Sequence, residues 1–135
     1  MEVRKVYAAP DGARIAYGLT RAGEPRRTLV LLHGVASNMT RWWRFLAETR
    51  LTDSWDILRM DLRGHGGSVW RGRIGMGVWS SDLAGILRSE AAGPAEVVGH
   101  CWAPTWPCGS RGWNQPSSLG WCSSNPCFAP PSPAA

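Results

Sequence analysis

The first 102 residues alternate between short apolar runs of strand length and longer segments with helical spacing. The run at 28–32, Thr-Leu-Val-Leu-Leu, is typical of a parallel strand that is buried on both faces. Further strands are predicted at 2–7, 14–19, 55–60 and 95–98, and helices at 39–51 and 78–90. A Pro-Asp-Gly turn at 10–12 joins the first two strands. This alternation predicts an α/β fold with a mostly parallel sheet and flanking helices.

The chain changes character after residue 102. Residues 103–135 hold seven of the ten prolines, three of the four cysteines and no acidic residue. No strand or helix period continues there. A disordered Pro/Ser tail is one interpretation, but such tails are usually poor in Trp and Cys, and this one holds three of the nine tryptophans. The sequence therefore predicts a truncated domain at 1–102 and a Pro/Ser/Trp/Cys-rich tail at 103–135.

A shifted reading frame explains the tail better than disorder does. If one G is restored after the Trp102 codon, Ala103 becomes glycine and Pro107 becomes alanine whichever codons are used, and Asn114 becomes glutamate. Where the codon is ambiguous, the choice that best continues a folded protein sequence gives Gly-Ala-x-Leu-Ala-Leu-Arg-Leu-Ala and then Gly-Leu-Val-Leu-Leu in the recovered frame. These two segments have the patterns of a helix and of a strand, and the present reading frame shows neither pattern. Arginine outnumbers lysine 14 to 1, which fits a GC-rich gene in which runs of G are miscounted.

Three short motifs follow three of the predicted strands. They read Leu-His-Gly-Val at 32–35, Asp-Leu-Arg-Gly-His-Gly-Gly-Ser at 61–68 and Gly-His-Cys-Trp at 99–102. Open α/β sheets build their sites at the carboxyl ends of the strands, so we expect the three loops to meet. In order and spacing the motifs resemble the N-terminal half of the α/β-hydrolase superfamily, which carries His-Gly, Asp-x-x-Gly-x-Gly-x-Ser and Gly-x-nucleophile-x-Gly at these points. The resemblance covers residues 1–102 and implies a partial α/β-hydrolase-like sheet, followed by an irregular or disordered tail.

The resemblance implies roles for individual residues. Cys101 takes the position of the nucleophile, and the backbone N–H groups of Val35 and Trp102 would form the oxyanion hole. Cysteine replaces the usual serine, as in the dienelactone hydrolases and polyhydroxyalkanoate synthases, and a thiolate at a helix N-terminus is a sensible nucleophile. A buried and inert cysteine at a strand end is the alternative. The residues expected to support the motifs are His33, Gly34, Asp61, Gly64, Gly66, Gly99 and His100.

The acid and the histidine that the family needs after the nucleophile are missing. No Asp, Glu or His occurs beyond His100. His33 and His65 match positions that shape loops, and Asp61 is expected to tie down its loop, although a displaced acid or base among these residues stays open. We therefore expect a fragment of an acyl hydrolase for an ester, thioester or lactone, inactive as it stands. A non-enzymatic module that binds a small molecule or a protein is the alternative.

Composition argues against several other classes of function. The formal net charge of +5 comes from arginines scattered along the chain, without the basic stripe of a nucleic-acid-binding protein. The sequence shows no signal-peptide-like start and no apolar run of membrane-spanning length, so we expect a cytoplasmic protein without membrane contact. Cysteine and histidine spacing matches no zinc motif, and we expect no metal and no cofactor. The expected partner is a small-molecule acyl substrate, and the oligomeric state is left open.

Three further expectations concern packing. Met39, Trp42, Trp43 and Phe45 would either line an acyl pocket or pack into the core, and we favour the core. Arg63 and Ser68 are expected to shape their loop. A sheet that stops after its fifth strand would expose an apolar edge there, so we expect poor solubility or a partly ordered product.

Overall fold

The computed structural model describes residues 1–23 and 27–99 and, in the rest of the chain, one strand at 121–124. The strands are β1 (Glu2–Ala8), β2 (Arg14–Thr20), β3 (Arg27–Leu32), β4 (Trp55–Met60), β5 (Ala95–Gly99) and β6 (Trp121–Ser124). The helices are α1 (Trp43–Glu48) and α2 (Met76–Ser89), with short 3-10 turns at Met39–Trp42 and Leu51–Asp53. The five predicted strands agree with β1 to β5 to within one residue at each end.

The strands form one mixed sheet in the order β1-β2-β4-β3-β5-β6. Strand β3 lies between β4 and β5 and runs parallel to both. The pairs β1–β2, β2–β4 and β5–β6 are antiparallel. The predicted α/β class is confirmed, and the parallel arrangement holds for the three strands that carry the motifs. The remaining strands make the sheet mixed, and of their antiparallel pairs β1–β2 is a hairpin with a short turn.

The turn between β1 and β2 has the geometry that its sequence predicts. Gly12 has a φ of +89°, in the left-handed region that glycine adopts without steric cost. The N–H of Gly12 donates to the carbonyl of Ala9 at 2.9 Å, and the N–H of Ala9 donates to the carbonyl of Ala13 at 2.8 Å. The first strand is thereby folded back onto the second in a fixed register.

Side chains alternate between the two faces of the sheet, and each face has its own apolar cluster. The larger cluster joins β2, β3, β4 and β5 to α2, whose Leu83 and Ile86 are fully buried. The smaller cluster has Leu29, Leu31 and Ile57 at its centre. Its cover comes from the segment 42–46, whose apolar side chains are only partly buried. In the described part of the chain, α2 is thus the main cover of one face and 42–46 the main cover of the other.

The prediction of one continuous helix at 39–51 is wrong. A 3-10 turn, the six-residue helix α1 and a second 3-10 turn take its place. Thr49 has an extended backbone (φ −78°, ψ 143°), and its hydroxyl oxygen accepts the N–H of Leu51 at 3.1 Å. A threonine side chain that bonds a nearby backbone group offers the chain an alternative to the helix, and α1 ends there.

Strand β6 gives β5 a second neighbour. It pairs antiparallel with β5, from Val98 opposite Trp121 to Ala95 opposite Ser124. The expectation that β5 is left as an open edge is therefore wrong, because β5 has a neighbour on both sides. Strand β6 spans four residues of a segment in which the sequence shows no strand pattern. Strand pairing is made by backbone N–H and C=O groups, which a segment without an alternating apolar pattern also carries.

Candidate active site

The motif loops leave the sheet at one level. Leu32, the last residue of β3, is in register with Met60 at the end of β4 and with Gly99 at the end of β5. His33 and Asp61 are therefore the first residues beyond the sheet in two neighbouring loops, and the third loop begins directly after Gly99. The structure brings the first two motifs together and places the start of the third beside the first, at the edge where open α/β sheets build their sites.

His33 joins the loop after β3 to the loop after β4. Its side chain is fully buried, with Nδ1 2.7 Å from the carbonyl oxygen of Gly34 and Nε2 2.9 Å from the backbone nitrogen of Leu62. Because the Leu62 N–H can only donate, Nε2 accepts, and Nδ1 carries the proton that is donated to Gly34. Burial lowers the pKa of His33, which keeps the ring neutral. Both ring nitrogens are engaged, so His33 has no nitrogen free to activate a nucleophile.

The loop after β3 makes a tight turn around Val35 and Ala36. The N–H of Ser37 donates to the carbonyl of Gly34 at 3.2 Å, and Ala36 has a φ of +63°. That conformation costs a residue with a Cβ about 1–2 kcal/mol, so the surrounding bonds must hold it. Asn38 caps the adjoining 3-10 turn through its side-chain oxygen. Within residues 1–23 and 27–99, no acceptor pairs with the N–H of Val35.

Asp61 holds both neighbouring loops through its carboxylate. One oxygen accepts the N–H of Met39 at 2.6 Å and the other accepts the N–H of Gly67 at 2.8 Å. The carbonyl of Met39 accepts a further bond, at 2.9 Å, from the buried guanidinium of Arg59. Arg59 in turn makes two bonds to the carboxylate of Glu2, at 2.6 and 2.8 Å. The far end of the β3 loop is thus fixed by one carboxylate and one guanidinium from neighbouring positions.

The loop after β4 depends on two glycines and a buried serine. Gly64 and Gly66 have φ values of +86° and +48°, and a Cβ on Gly66 would lie 2.5 Å from a carboxylate oxygen of Asp61. Glycine is therefore what allows the loop to wrap around that carboxylate. The Ser68 hydroxyl donates to the carbonyl of Asp61 at 2.7 Å and accepts the N–H of Ala16 at 2.9 Å. The loop is fastened to β2 by this bond.

Arg63 connects the same loop to α2 and to the β1–β2 turn. Its guanidinium makes two bonds to the Asp82 carboxylate, at 2.9 and 2.6 Å, and a third to the carboxylate of Asp11. It also lies 5.0 Å from the ring centroid of Trp70, and its carbonyl accepts the indole N–H of Trp79 at 3.0 Å. The hydrogen bonds that Arg63 donates to Asp82 raise the pKa of Arg63 and keep it charged. These contacts agree with the loop-shaping role expected from the sequence.

No protein-family model and no curated protein matches the sequence. Solved structures do match it. A hydrolase from Pseudomonas aeruginosa is 30% identical, with a TM-score of 0.64 over 72% of this chain and 36% of that protein. An epoxide hydrolase from an endophytic Streptomyces is 24% identical, with a TM-score of 0.64 over 75% of this chain and 30% of that protein. An α/β-hydrolase fold protein from Burkholderia ambifaria is 25% identical, with a TM-score of 0.60 over 71% and 34%.

The chain has the fold of the N-terminal part of the α/β hydrolases. It spans about a third of the length of the solved structures that it matches. His100, Cys101 and Trp102 lie outside the described residues, and with them the expected nucleophile and one of the two expected oxyanion-hole donors. The roles of nucleophile and oxyanion-hole donor stay predictions.

The described part of the chain contains neither a membrane-spanning helix nor a cluster of metal ligands. No helix within residues 1–23 and 27–99 is long and apolar enough to cross a bilayer. The same residues contain no group of three or more His, Cys, Asp or Glu side chains that could hold a metal ion.

The aromatic segment after the first motif packs as the core interpretation predicts, with one exception. Met39 is buried, and Trp42 and Phe45 pack edge to face at 6.0 Å against the smaller apolar cluster. Trp43 is 65% exposed, so the core interpretation is wrong for this residue. Because the side chains along a helix point in different directions, two consecutive tryptophans do not share a face.

Sequence reasoning missed three residues that organise the site. Arg59 and Glu2 lie 57 positions apart, and nothing in their local sequences indicates that they pair. Asp82 did leave a signal, because it lies among Trp79, Leu83 and Ile86 on the apolar side of α2. An acidic residue on a buried helix face needs a partner, and the nearby Arg63 of the second motif was available as that partner.

Proposed function

We propose that this chain is the N-terminal part of an α/β-hydrolase enzyme that cleaves a small-molecule ester, thioester or lactone through an acyl intermediate on Cys101. The observation that carries the proposal is the register of Leu32 with Gly99. It means that a chain continuing from Gly99 starts beside the turn that holds Val35. A nucleophile two residues beyond Gly99 and an N–H donor three residues beyond Leu32 are then suited to act on one carbonyl group.

In the proposed reaction the Cys101 thiolate attacks the acyl carbon and a C–S bond forms. The negative charge that develops on the carbonyl oxygen is held by the N–H groups of Val35 and Trp102. The bond from the acyl carbon to the leaving oxygen or sulfur then breaks, and the leaving group takes up a proton. In the second step water attacks the thioester, and the carboxylic acid and the free thiol are released. The N–H of Val35, which has no acceptor among residues 1–23 and 27–99, supports this assignment.

The 135-residue chain lacks a base for this chemistry, and we propose that it is inactive as it stands. No acid or histidine follows His100 in the sequence, and both ring nitrogens of His33 are bonded to backbone groups. Without a base to accept its proton, the thiol is a weak nucleophile at neutral pH. Loss of base and acid together typically lowers turnover by several orders of magnitude.

We further propose that residues 103–135 are out of frame and that one lost G after the Trp102 codon separates this chain from an intact enzyme. The support is compositional: the recovered frame turns Ala103 into the glycine that a tight turn after the nucleophile needs. Independent reads of the coding DNA across the codons for Trp102 to Trp106 test this directly. An additional G is the expected result, and reads that confirm the present run of bases would overturn the frameshift.

The activity proposal is tested on the frame-restored protein. Hydrolysis of 4-nitrophenyl acetate should exceed that of its Cys101→Ala variant by at least about a thousandfold, since loss of a nucleophile can cost up to about a millionfold in turnover. Mass spectrometry of the quenched reaction should show one acyl group on Cys101. Equal rates for the restored protein and the alanine variant would contradict the proposal. The 135-residue chain, measured in parallel, should not exceed its own Cys101→Ala variant.

One observation favours a second candidate, a non-enzymatic module that binds a small molecule or a protein. Strand β6 lies within the tail and pairs with β5, which is compatible with a tail that belongs to the protein. Limited proteolysis of the 135-residue chain distinguishes the candidates. Protection of 121–124 under conditions that cleave flexible segments, together with DNA reads that confirm the present frame, would favour the binding module.

A further inference from the structure

The loops at the carboxyl edge of the sheet carry several arginines, and the acidic residue that begins the loop after β4, Asp61, is buried. Two stretches follow the strands here: 33–47, which ends one residue before Glu48 of α1, and 62–81, which ends one residue before Asp82 of α2. Neither stretch contains Asp or Glu. Their arginines are Arg41, Arg44, Arg63, Arg71 and Arg73. Asp61, which precedes the second stretch, is buried and has its carboxylate bonded to backbone N–H groups.

These arginines differ in whether their charge is compensated. Arg63 is paired with Asp82 and Asp11, and Arg44 is paired with Glu48 at 2.8 Å. Arg71 and Arg73 are exposed, and neither makes an ion pair with any residue in 1–23 or 27–99. The uncompensated positive charge of the second loop therefore resides in these two side chains.

Apolar side chains are exposed at the same edge. Val35 is 52% exposed, Val69 77% and Ile74 53%, and we call these three residues the apolar rim. Ile74 lies over Gly64, with a methyl group 3.1 Å from where a Cβ of that glycine would be. In the loop 69–74, which follows the anchoring residue Ser68, Arg71 and Arg73 thus lie between the rim residues Val69 and Ile74.

We propose that the loop 69–74 recognises a negatively charged group, a carboxylate or a phosphate, on a small acyl compound. Arg71 and Arg73 bind the anion, since the planar guanidinium matches both groups with paired hydrogen bonds. The apolar rim contacts the hydrocarbon part. An edge that exposes basic side chains and buries its carboxylate also attracts anions from a distance. The inference deepens the proposed function, because it names the substrate class of the same site.

The test is a binding measurement on the 135-residue chain, which needs no catalysis. Three probes of similar size are titrated into the ¹⁵N-labelled chain: methyl hydrogen glutarate, pentyl phosphate and neutral methyl pentanoate. Amide shifts of residues 62–75 report the dissociation constants. Both anions should bind at least about fivefold more tightly than the neutral ester, and added salt should weaken only the anions. The tighter of the two anions identifies the headgroup.

A matched pair of double variants completes the test. Arg71→Gln/Arg73→Gln should remove the preference for the anions. Arg50→Gln/Arg88→Gln makes the same change of charge at two exposed arginines near the opposite edge of the sheet, before β4 and at the end of α2. This second double variant should keep the preference for the anions. Equal affinity for the neutral and charged probes, or equal losses in the two double variants, would overturn the proposal. Because Cys101→Ala should bind the anions normally, a failure of the catalytic proposal is seen separately, as absent turnover in the frame-restored protein.

Discussion

Replacing Asp82, in α2, with alanine should destabilise the chain strongly, because Asp82 is the buried partner of Arg63 in the loop after β4. Asp82 and Arg63 are 2% and 3% exposed at their side chains and share two hydrogen bonds. Asp82→Ala leaves the guanidinium buried with one partner, Asp11, whose own side chain is 53% exposed. Removing one member of a buried ion pair typically costs about 3–5 kcal/mol, against a total stability of about 5–15 kcal/mol for a domain. The variant should therefore be close to unfolding.

Urea unfolding of the 135-residue chain, followed by tryptophan fluorescence and far-UV circular dichroism, measures the loss. With a slope of about 1–3 kcal/mol per molar urea for small proteins, the midpoint should fall by about 2 M. Asp11→Ala is the matched control, and it should lower the midpoint only slightly because its carboxylate is solvated. In the double variant Arg63→Met/Asp82→Leu no charge is buried, so it should be more stable than Asp82→Ala. A midpoint for Asp82→Ala within about 0.3 M of wild type, or a loss for Asp11→Ala of the same size, would refute the reasoning.

The remaining predictions concern pH and backbone geometry. Because burial lowers the pKa of His33, the unfolded chain takes up a proton near pH 6.5 that the folded chain does not. The free energy of unfolding should therefore fall as the pH drops through 6.5. In urea unfolding, His33→Gln should remove this dependence on pH. A second loss should begin near pH 4.5, where Glu2 takes up a proton in the unfolded chain while the bonds from Arg59 hold its pKa lower in the folded chain, and Glu2→Gln should reduce this loss. Gly66→Ala should destabilise the chain by about 1–3 kcal/mol, whereas Gly77→Ala, in a helix and with open space around it, should be neutral or stabilising by calorimetry.

The strands were predictable because their signals are local. The run at 28–32 and the Pro-Asp-Gly turn are recognisable within a few residues, and the register of β3 with β4 and β5 then follows from parallel pairing. The break in the helix predicted at 39–51 was harder to foresee, since it depends on one hydroxyl, that of Thr49, taking a backbone N–H. Strand β6 was missed because its sequence has no alternating pattern, and its pairing is a backbone property.

The motif residues of the candidate site could be predicted from the sequence, but the residues that position the motif loops could not. The sequence placed His33 and Asp61 in loops that meet, and the structure shows the bonds through which they meet. The contributions of Glu2 and Arg59 depend on β1 reaching across the sheet to the level of Met39, which only the folded chain defines. Contacts between residues that are distant in sequence are set by the topology of the fold. Motifs therefore identify the side chains of the site but not the hydrogen bonds that position them.

The bonds that hold the turn around Val35 come from residues that precede Gly99. His33 reaches Leu62, and Asp61 reaches the N–H of Met39, so the turn depends on β3 and β4 rather than on the residues beyond 102. A frame change after Trp102 would therefore take away the acid and the base and leave the N–H donor of the β3 loop and the basic loop 69–74 in place. Binding of an anionic acyl compound and its turnover should then separate: the 135-residue chain should keep the first, and only the frame-restored protein should have both.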